Sequence, residues 1–244
     1  MTEFTLAVLG LAVVMIAVEP LSSGRRWPRV KGWLPRALAL NGAQAAMVFI
    51  TGVTWDRWFP ELRMWDASGL GLVPGALLGY LVITFVYYWW HRARHEVPLL
   101  WRWLHQVHHS PQRIEIITSF YKHPIELVAN GALSSFILYA LVGLDAAAGA
   151  LAVALTGIAE LFYHWNVRTP HWIGFLIQRP ESHCIHHRAG WHRSNYADLP
   201  LWDMLFGTFE NPRSFDAACG FGPAGEAQLG RMLLGRDVYA SRPA

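Results

Sequence analysis

Residues 70–95 read LGLVPGALLGYLVITFVYYWWHRARH. From Leu70 to Trp90 no side chain is charged, and a membrane helix needs about 20 mostly apolar residues. The run then passes directly into His91-Arg-Ala-Arg-His95. On a helix, residues four apart share one face, with Cβ atoms about 5–6 Å apart. This stretch therefore predicts a membrane helix that presents a pair of imidazoles at one end.

Working outward, four more apolar runs approach that length, at roughly 3–20, 37–55, 125–143 and 146–165. The last two are joined only by Gly143-Leu144-Asp145, a tight hairpin, and are marginal in length for a full crossing. Of 244 residues, 53% are hydrophobic and 15% charged, against about a quarter charged in a soluble domain. The expected fold class is all-α: a polytopic membrane helical bundle of four to five membrane helices with a cytosolic histidine-rich helical cap. It is expected to form a single integral membrane domain over 1–244, with a catalytic region at about 80–210. Residues 211–244 read as a loosely ordered C-terminal tail with one short helix near Ala227–Leu234.

The first run follows the acidic Met1-Thr2-Glu3 and lacks the basic segment of a secretory signal, so it reads as a retained membrane helix. Arg25, Arg26, Arg29, Lys31 and Arg36 follow it, Arg92, Arg94 and Arg102 surround the end of the third run, and Lys122 and Arg168 flank the final pair. The positive-inside rule then sets the N-terminus outside and the histidine-rich segments in the cytosol, as expected of a multi-pass bacterial inner-membrane protein. Trp89, Trp90, Trp101 and Trp103 fit an aromatic belt at that interface. No basic run resembles a nucleic-acid footprint. Two cysteines, Cys184 and Cys219, do not form a disulfide framework, and Cys184 reads as a packing residue.

Five of the 12 histidines fall in 91–109 and four in 183–192. Beside His91 and His95 stand His105-Gln-Val-His108-His109 and His183-Cys-Ile-His186-His187. His105 shares a helical face with His108 or His109, and His183 with His186 or His187. Adjacent residues diverge by about 100° on a helix, so each doublet can reach two different ions. Imidazole suits Fe, Zn, Cu and Ni, and so many rings exceed what one ion can use. Two ions are the economical reading, with a carboxylate or two as outer support. Glu160, one turn before His164, is an ionisable group in an apolar helix and a functional candidate. Its bland alternative is pairing with Arg168 or water. Glu126, in His123-Pro-Ile-Glu126, is a second candidate support, although Pro124 and an acidic first turn also mark an ordinary helix start. His171 reads as a surface residue and His192 as an outer or structural one.

At this point the sequence resembles the fatty acid hydroxylase/sterol desaturase superfamily. The three histidine blocks match its histidine boxes. Tyr121-Lys-His123-Pro-Ile-Glu126, Phe162-Tyr-His164-Trp-Asn166 and the run Asn195-Tyr196 through Trp202-Asp203-Met-Leu205-Phe206-Gly207-Thr208-Phe209 look like its other elements. The resemblance covers roughly residues 80–210. It implies a cytosol-facing pair of iron ions (zinc being the alternative in protein as purified) held by His91, His95, His105, His108, His109, His164, His183, His186 and His187, with His123 an additional candidate. Arg168 stands where some members carry a further histidine. The implied reaction is O₂-dependent oxidation of an unactivated C–H bond of a membrane lipid, whether a sterol, a fatty acyl chain or a related lipid. The product is an alcohol or an alkene. The electron donor would be separate, a ferredoxin-type or small haem protein. A lipid arriving from the bilayer would pass residues such as Phe85, Tyr87, Tyr88, Phe120, Phe136 and Phe162. Two rival classes are a zinc-dependent membrane hydrolase and a metal-binding or transport protein. The second calls for ionisable groups along a path at mid-membrane, whereas here the histidines gather at helix ends.

Overall fold

A computed structural model describes residues 3–239. Their regular elements are all helical, with one isolated β-bridge between Arg188 and Cys219. Besides short helical turns such as Trp55–Trp58 and Pro98–Leu100, the helices are α1 (Glu3–Val18), α2 (Trp33–Val53), α3 (Leu72–Glu96), α4 (Gln106–His109), α5 (Pro124–Ser135), α6 (Ala146–His164), α7 (Pro180–His186), α8 (Pro200–Leu205), α9 (Gly222–Glu226) and α10 (Leu229–Leu233). π-Helical turns precede α4 (Trp101–His105) and extend α5 (Phe136–Leu141). Four helical stretches are long and apolar enough to cross a membrane: Trp33–Leu62, Leu72–Glu96, Pro124–Leu141 and Ala146–His164.

The first apolar run departs from expectation. At 16 residues, α1 rises only ~24 Å, against a hydrocarbon core of about 30 Å. It packs on α6 through Met15 and Leu161. The loop after it closes on the histidine end of the bundle. The Gly24 N–H donates to Asn166 O at 2.7 Å, and Arg25 pairs with Glu181 at 3.3 Å.

The centre of the bundle is the α3–α6 contact, and its closeness comes from small residues. A Cβ on Gly79 would lie 3.2 Å from Ala152, and one on Gly75 would lie 3.0 Å from Ala148. In lipid, helices associate through such close packing because burial from water adds nothing there. Two of the helix starts have a local reason. Asp145 Oδ1 accepts from Ala147 N and Ala148 N at 2.8 and 3.0 Å, capping α6. His123 caps α5, its Nδ1 accepting from Ile125 N at 3.0 Å ahead of Pro124.

Three further expectations give way. Residues 211–239 are packed rather than loose, with the expected short helix at Leu229–Leu233, while 240–244 lie outside the described residues. Glu226 is buried, pairs with Arg36 at 3.0 Å and accepts from Gln112 Nε2 at 2.9 Å. Met232 is fully buried against Trp33, Val107 and Tyr121, and Gln106 Nε2 donates to Arg236 O at 2.9 Å. Helices α9 and α10 have five residues each, too few for a periodic pattern, and long-range burial holds them. Trp101 is buried beside the histidines, its ring 5.4 Å from His95 and 5.5 Å from His109, rather than in an interfacial belt. Tyr88, expected on a lipid path, is fully buried, with its hydroxyl 3.1 Å from Thr208 Oγ1. Tyr87 is likewise tied, its hydroxyl donating to Asn130 O at 2.8 Å.

Candidate metal centre

Two imidazole groups form at the common end of α3 and α6. His91, His95, His105, His109 and His186 make the first, and His108, His164, His183 and His187 the second. Within each group one ligand atom per residue lies within 4.8 Å of every other. Helix α3 contributes its last turns, α6 its last residue, and α4 with its π-turn and α7 contribute the paired doublets. Both doublets divide. His109 and His186 face the first group, while His108 and His187 face the second. The in-group partners are His105 with His109 and His183 with His187, both four residues apart, as a shared helical face requires.

Ring orientation is set by the atoms behind each ring. The Nδ1 of His91 lies 2.7 Å from Tyr196 O, that of His186 2.7 Å from Ser194 O, and that of His164 2.9 Å from Glu160 O. His105 Nδ1 lies 3.0 Å from Glu126 Oε1. A carbonyl only accepts, so the proton sits on Nδ1 and the Nε2 lone pair points inward. This arrangement is what outer-sphere support of a metal-binding histidine requires.

The inward atoms fit metal ions. His105 Nε2 is 2.9 Å from His91 Nε2, and His183 Nε2 is 3.0 Å from both His164 Nε2 and His187 Nε2. His91 Nε2 and His105 Nε2 cannot satisfy one another by hydrogen bonding, because each of these rings carries its proton on Nδ1. Nitrogens bound ~2.1 Å from one ion at right angles stand ~3.0 Å apart. The Nε2 atoms of His109 and His186 are buried without a hydrogen-bond partner, which leaves a ligand role open to both.

Charge around the rings is balanced in pairs. Arg94 pairs with Glu126, and both are buried. Lys122 pairs with Glu160, in place of the Arg168 pairing the sequence alone offered. Arg168 instead donates to Gly24 O at 3.2 Å. Burial pushes the imidazoles of His105, His108, His109, His183 and His187 well below their ordinary range, and that of His186 down to about 4. The unfolded chain takes up these protons near pH 6.5. In metal-free protein the stability is therefore complete above about 6.5 and is lost as pH falls through that value toward about 4. Thermal unfolding of chelator-treated protein in detergent should shift steadily downward between about pH 7 and 5. A flat profile over that range would contradict the burial of neutral rings.

Several sequence candidates lie elsewhere. His123 is outside both groups, its Nδ1 used in the α5 cap and its Nε2 donating to Leu233 O at 3.2 Å. His171 is half-buried, its Nε2 on Asn211 O at 3.0 Å. Cys184 packs with Ile114, Phe215 and Cys219. His192 sits behind the first group, its Nδ1 2.9 Å from His109 Nδ1. Glu126 touches a group member directly, whereas Glu160 contributes its backbone carbonyl to His164.

Sequence reasoning did not find the carbonyls of Ser194 and Tyr196, and no residue-type signal exists for a backbone oxygen. The loop that aims them bends through left-handed residues His192, Ser194 and Asn195, with φ of 48°, 59° and 51°. The Asn195 amide holds the bend by donating to Ser182 O and Glu210 O, each at 2.9 Å. Asp203 then accepts from Tyr196 N at 2.8 Å and Ala197 N at 2.9 Å. The run from Asn195 to Phe209 is thus a scaffold that aims His91 and His186.

The family model described as "Fatty acid hydroxylase" matches residues 76–208, a span holding both imidazole groups and this scaffold. The chain is 29% identical over 70% of its length to fatty acid hydroxylase vlmA of Lecanicillium sp. It is 32% identical over 54% of its length to alkylglycerol monooxygenase of Homo sapiens. It is 26% identical over 67% of its length to Delta(7)-sterol-C5(6)-desaturase of Nicotiana tabacum. These matches cover 48%, 29% and 59% of the respective relatives, so the chain aligns with less than two thirds of each. No solved structure matches. With over half its length matched, from the small-residue face of α3 through the run that aims the histidines, the chain belongs to the fatty acid hydroxylase family, in the superfamily that includes the sterol desaturases.

Proposed function

We propose that this chain is an O₂-dependent di-iron oxidoreductase that hydroxylates or desaturates an unactivated C–H bond of a membrane lipid. The observation that carries the reading is the division of two His-His doublets between two imidazole groups, which suits a pair of ions rather than one. The names of the relatives, a hydroxylase, a monooxygenase and a desaturase, support oxidation of a lipid as the reaction class. Two bound iron ions would supply the O₂ activation and the one-electron steps that no side chain can provide.

The protein's own part is positional. Nine imidazoles hold the ions, and Tyr196 O, Ser194 O, Glu160 O and Glu126 fix their rings. Burial keeps the rings neutral, so they would hold the ions without offsetting their charge. Burial of the second group at 3% exposure or less excludes water from it. The four apolar spans support a lipid substrate drawn from the bilayer. The arginine-rich loops support a histidine end facing the cytosol, in a bacterial inner membrane, where a ferredoxin-type or small haem protein would deliver electrons.

The test is metal analysis of protein prepared without oxygen, followed by O₂ uptake with a reductant and a host lipid extract. Two irons per chain and oxygen-dependent change of a lipid are the expected results. Turnover that continues without O₂ would replace this reading with the zinc hydrolase.

A further inference from the structure

The histidine-bearing cap carries an apolar face that the metal centre does not use. On α8, Leu201 and Leu205 are 46% and 62% exposed. On the adjoining turn at His171–Phe175 and just after it, Trp172 is 62%, Phe175 51% and Leu176 66% exposed. Helix α8 packs directly on this turn, and Phe175 also meets Phe209, just beyond α8, at 5.8 Å between ring centres. Soluble proteins rarely leave contiguous apolar patches of more than a few hundred Å² open to water.

Two observations identify what covers this face. The first is depth. Helix α8 lies beside the membrane-spanning part of α3: Trp202 Nε1 donates to Thr84 Oγ1 at 3.1 Å, and Phe85 and Trp202 meet at 5.0 Å. Trp89 and Phe206 meet at 4.7 Å. Thr84 precedes His91 by about two helical turns, ~10 Å of rise. Helix α8 therefore sits deeper along α3 than the imidazoles do, at the level of Phe85 and Trp89, which are themselves 38% and 43% exposed on that helix.

The second observation is charge. The stretch 199–209 has one ionisable side chain, Asp203. It is turned inward and buried, accepting from Tyr196 N, Ala197 N and Thr208 Oγ1. The stretch 170–178 has only His171, whose Nε2 is bonded to Asn211 O. The exposed side of both elements is thus free of charge and continuous with the outer surface of a membrane helix.

We propose that the face formed by α8 and the 171–176 turn is sunk into the lipid leaflet on the histidine side, covered by acyl chains. The cap is then partly embedded rather than standing clear of the bilayer. An in-plane apolar face of this kind adds membrane contact without a further crossing. The same helix, through Asp203 and Tyr196, backs His91.

The test uses the full chain in phosphatidylcholine/phosphatidylglycerol vesicles. Cys184 and Cys219 are buried, so single cysteines at Leu176→Cys, Leu205→Cys and, as a water-exposed reference, Ser214→Cys can carry an environment-sensitive fluorophore. The treated parent chain serves as blank. The expected result is blue-shifted emission at positions 176 and 205. Quenching there by acyl-chain nitroxide lipids should be several-fold stronger than at 214, and quenching by aqueous iodide weaker. Iodide quenching equal to that at 214 would overturn the proposal. So would shielding that disappears on dilution into excess lipid, which would mean that a second copy of the chain covers the face. No readout depends on metal or turnover, so failure here leaves the oxidative reading of the imidazole groups intact.

Discussion

Replacing His109 with alanine should empty one ion position, and replacing its neighbour His108 should empty the other. The two residues are adjacent in sequence but belong to different groups, His109 with His91, His95, His105 and His186, and His108 with His164, His183 and His187. Each substitution removes one inward imidazole from a cage whose other members stay aimed by their own carbonyl or carboxylate partners. On the proposed reading of one ion per group, metal content per chain should fall by about half in either variant, and O₂-dependent lipid oxidation should fall to background in both. His171→Ala, whose ring is bonded to Asn211 O outside both groups, should retain full metal loading. Elemental analysis of the three variants decides the matter. If His108→Ala and His171→Ala load alike, the assignment of ligands is wrong.

The second large effect is expected at Glu126. Its carboxylate is fully buried, 3.0 Å from His105 Nδ1 and paired with the buried Arg94. Removing one member of a buried ion pair strands the other away from water, at a cost of about 3–5 kcal/mol. Losing the outer partner of a ligating histidine typically weakens metal affinity by about 10–100-fold. Glu126→Ala should therefore lower both the unfolding temperature and metal retention against a competing chelator. Glu126→Gln, which keeps the shape and one acceptor, should fall between Ala and the parent. Glu160→Ala should do less to metal retention, because His164 takes the backbone carbonyl of Glu160 and not its side chain. Parent-like stability and retention in Glu126→Ala would rule out the support role.

The contrast between these two predictions measures what could be read in advance. The division of His108 from His109 follows from the 100° step of a helix and needs no knowledge of the fold. The tie between Glu126 and His105 does not follow from any local rule, because 21 residues and a chain reversal separate them. His123 shows the same limit from the other side. Its sequence neighbourhood marks a helix start and a metal-box element equally well, and only the packed structure shows its two nitrogens spent on Ile125 N and Leu233 O. Trp101 was misjudged because an aromatic residue near a membrane-helix end is a generic interfacial signal, whereas the π-turn carries this one inward.

Helix length and apolar run, the spacing of the histidine blocks and the splitting of their doublets were decided by the sequence itself. They depend on the rise and twist of one helix, which every stretch of chain carries locally. The packed C-terminal segment, the Ser194 and Tyr196 carbonyls behind the rings and the place of α8 beside α3 were decided by tertiary structure alone. Each is a contact between segments far apart in sequence, and such contacts depend on which surfaces exclude each other's solvent rather than on residue type.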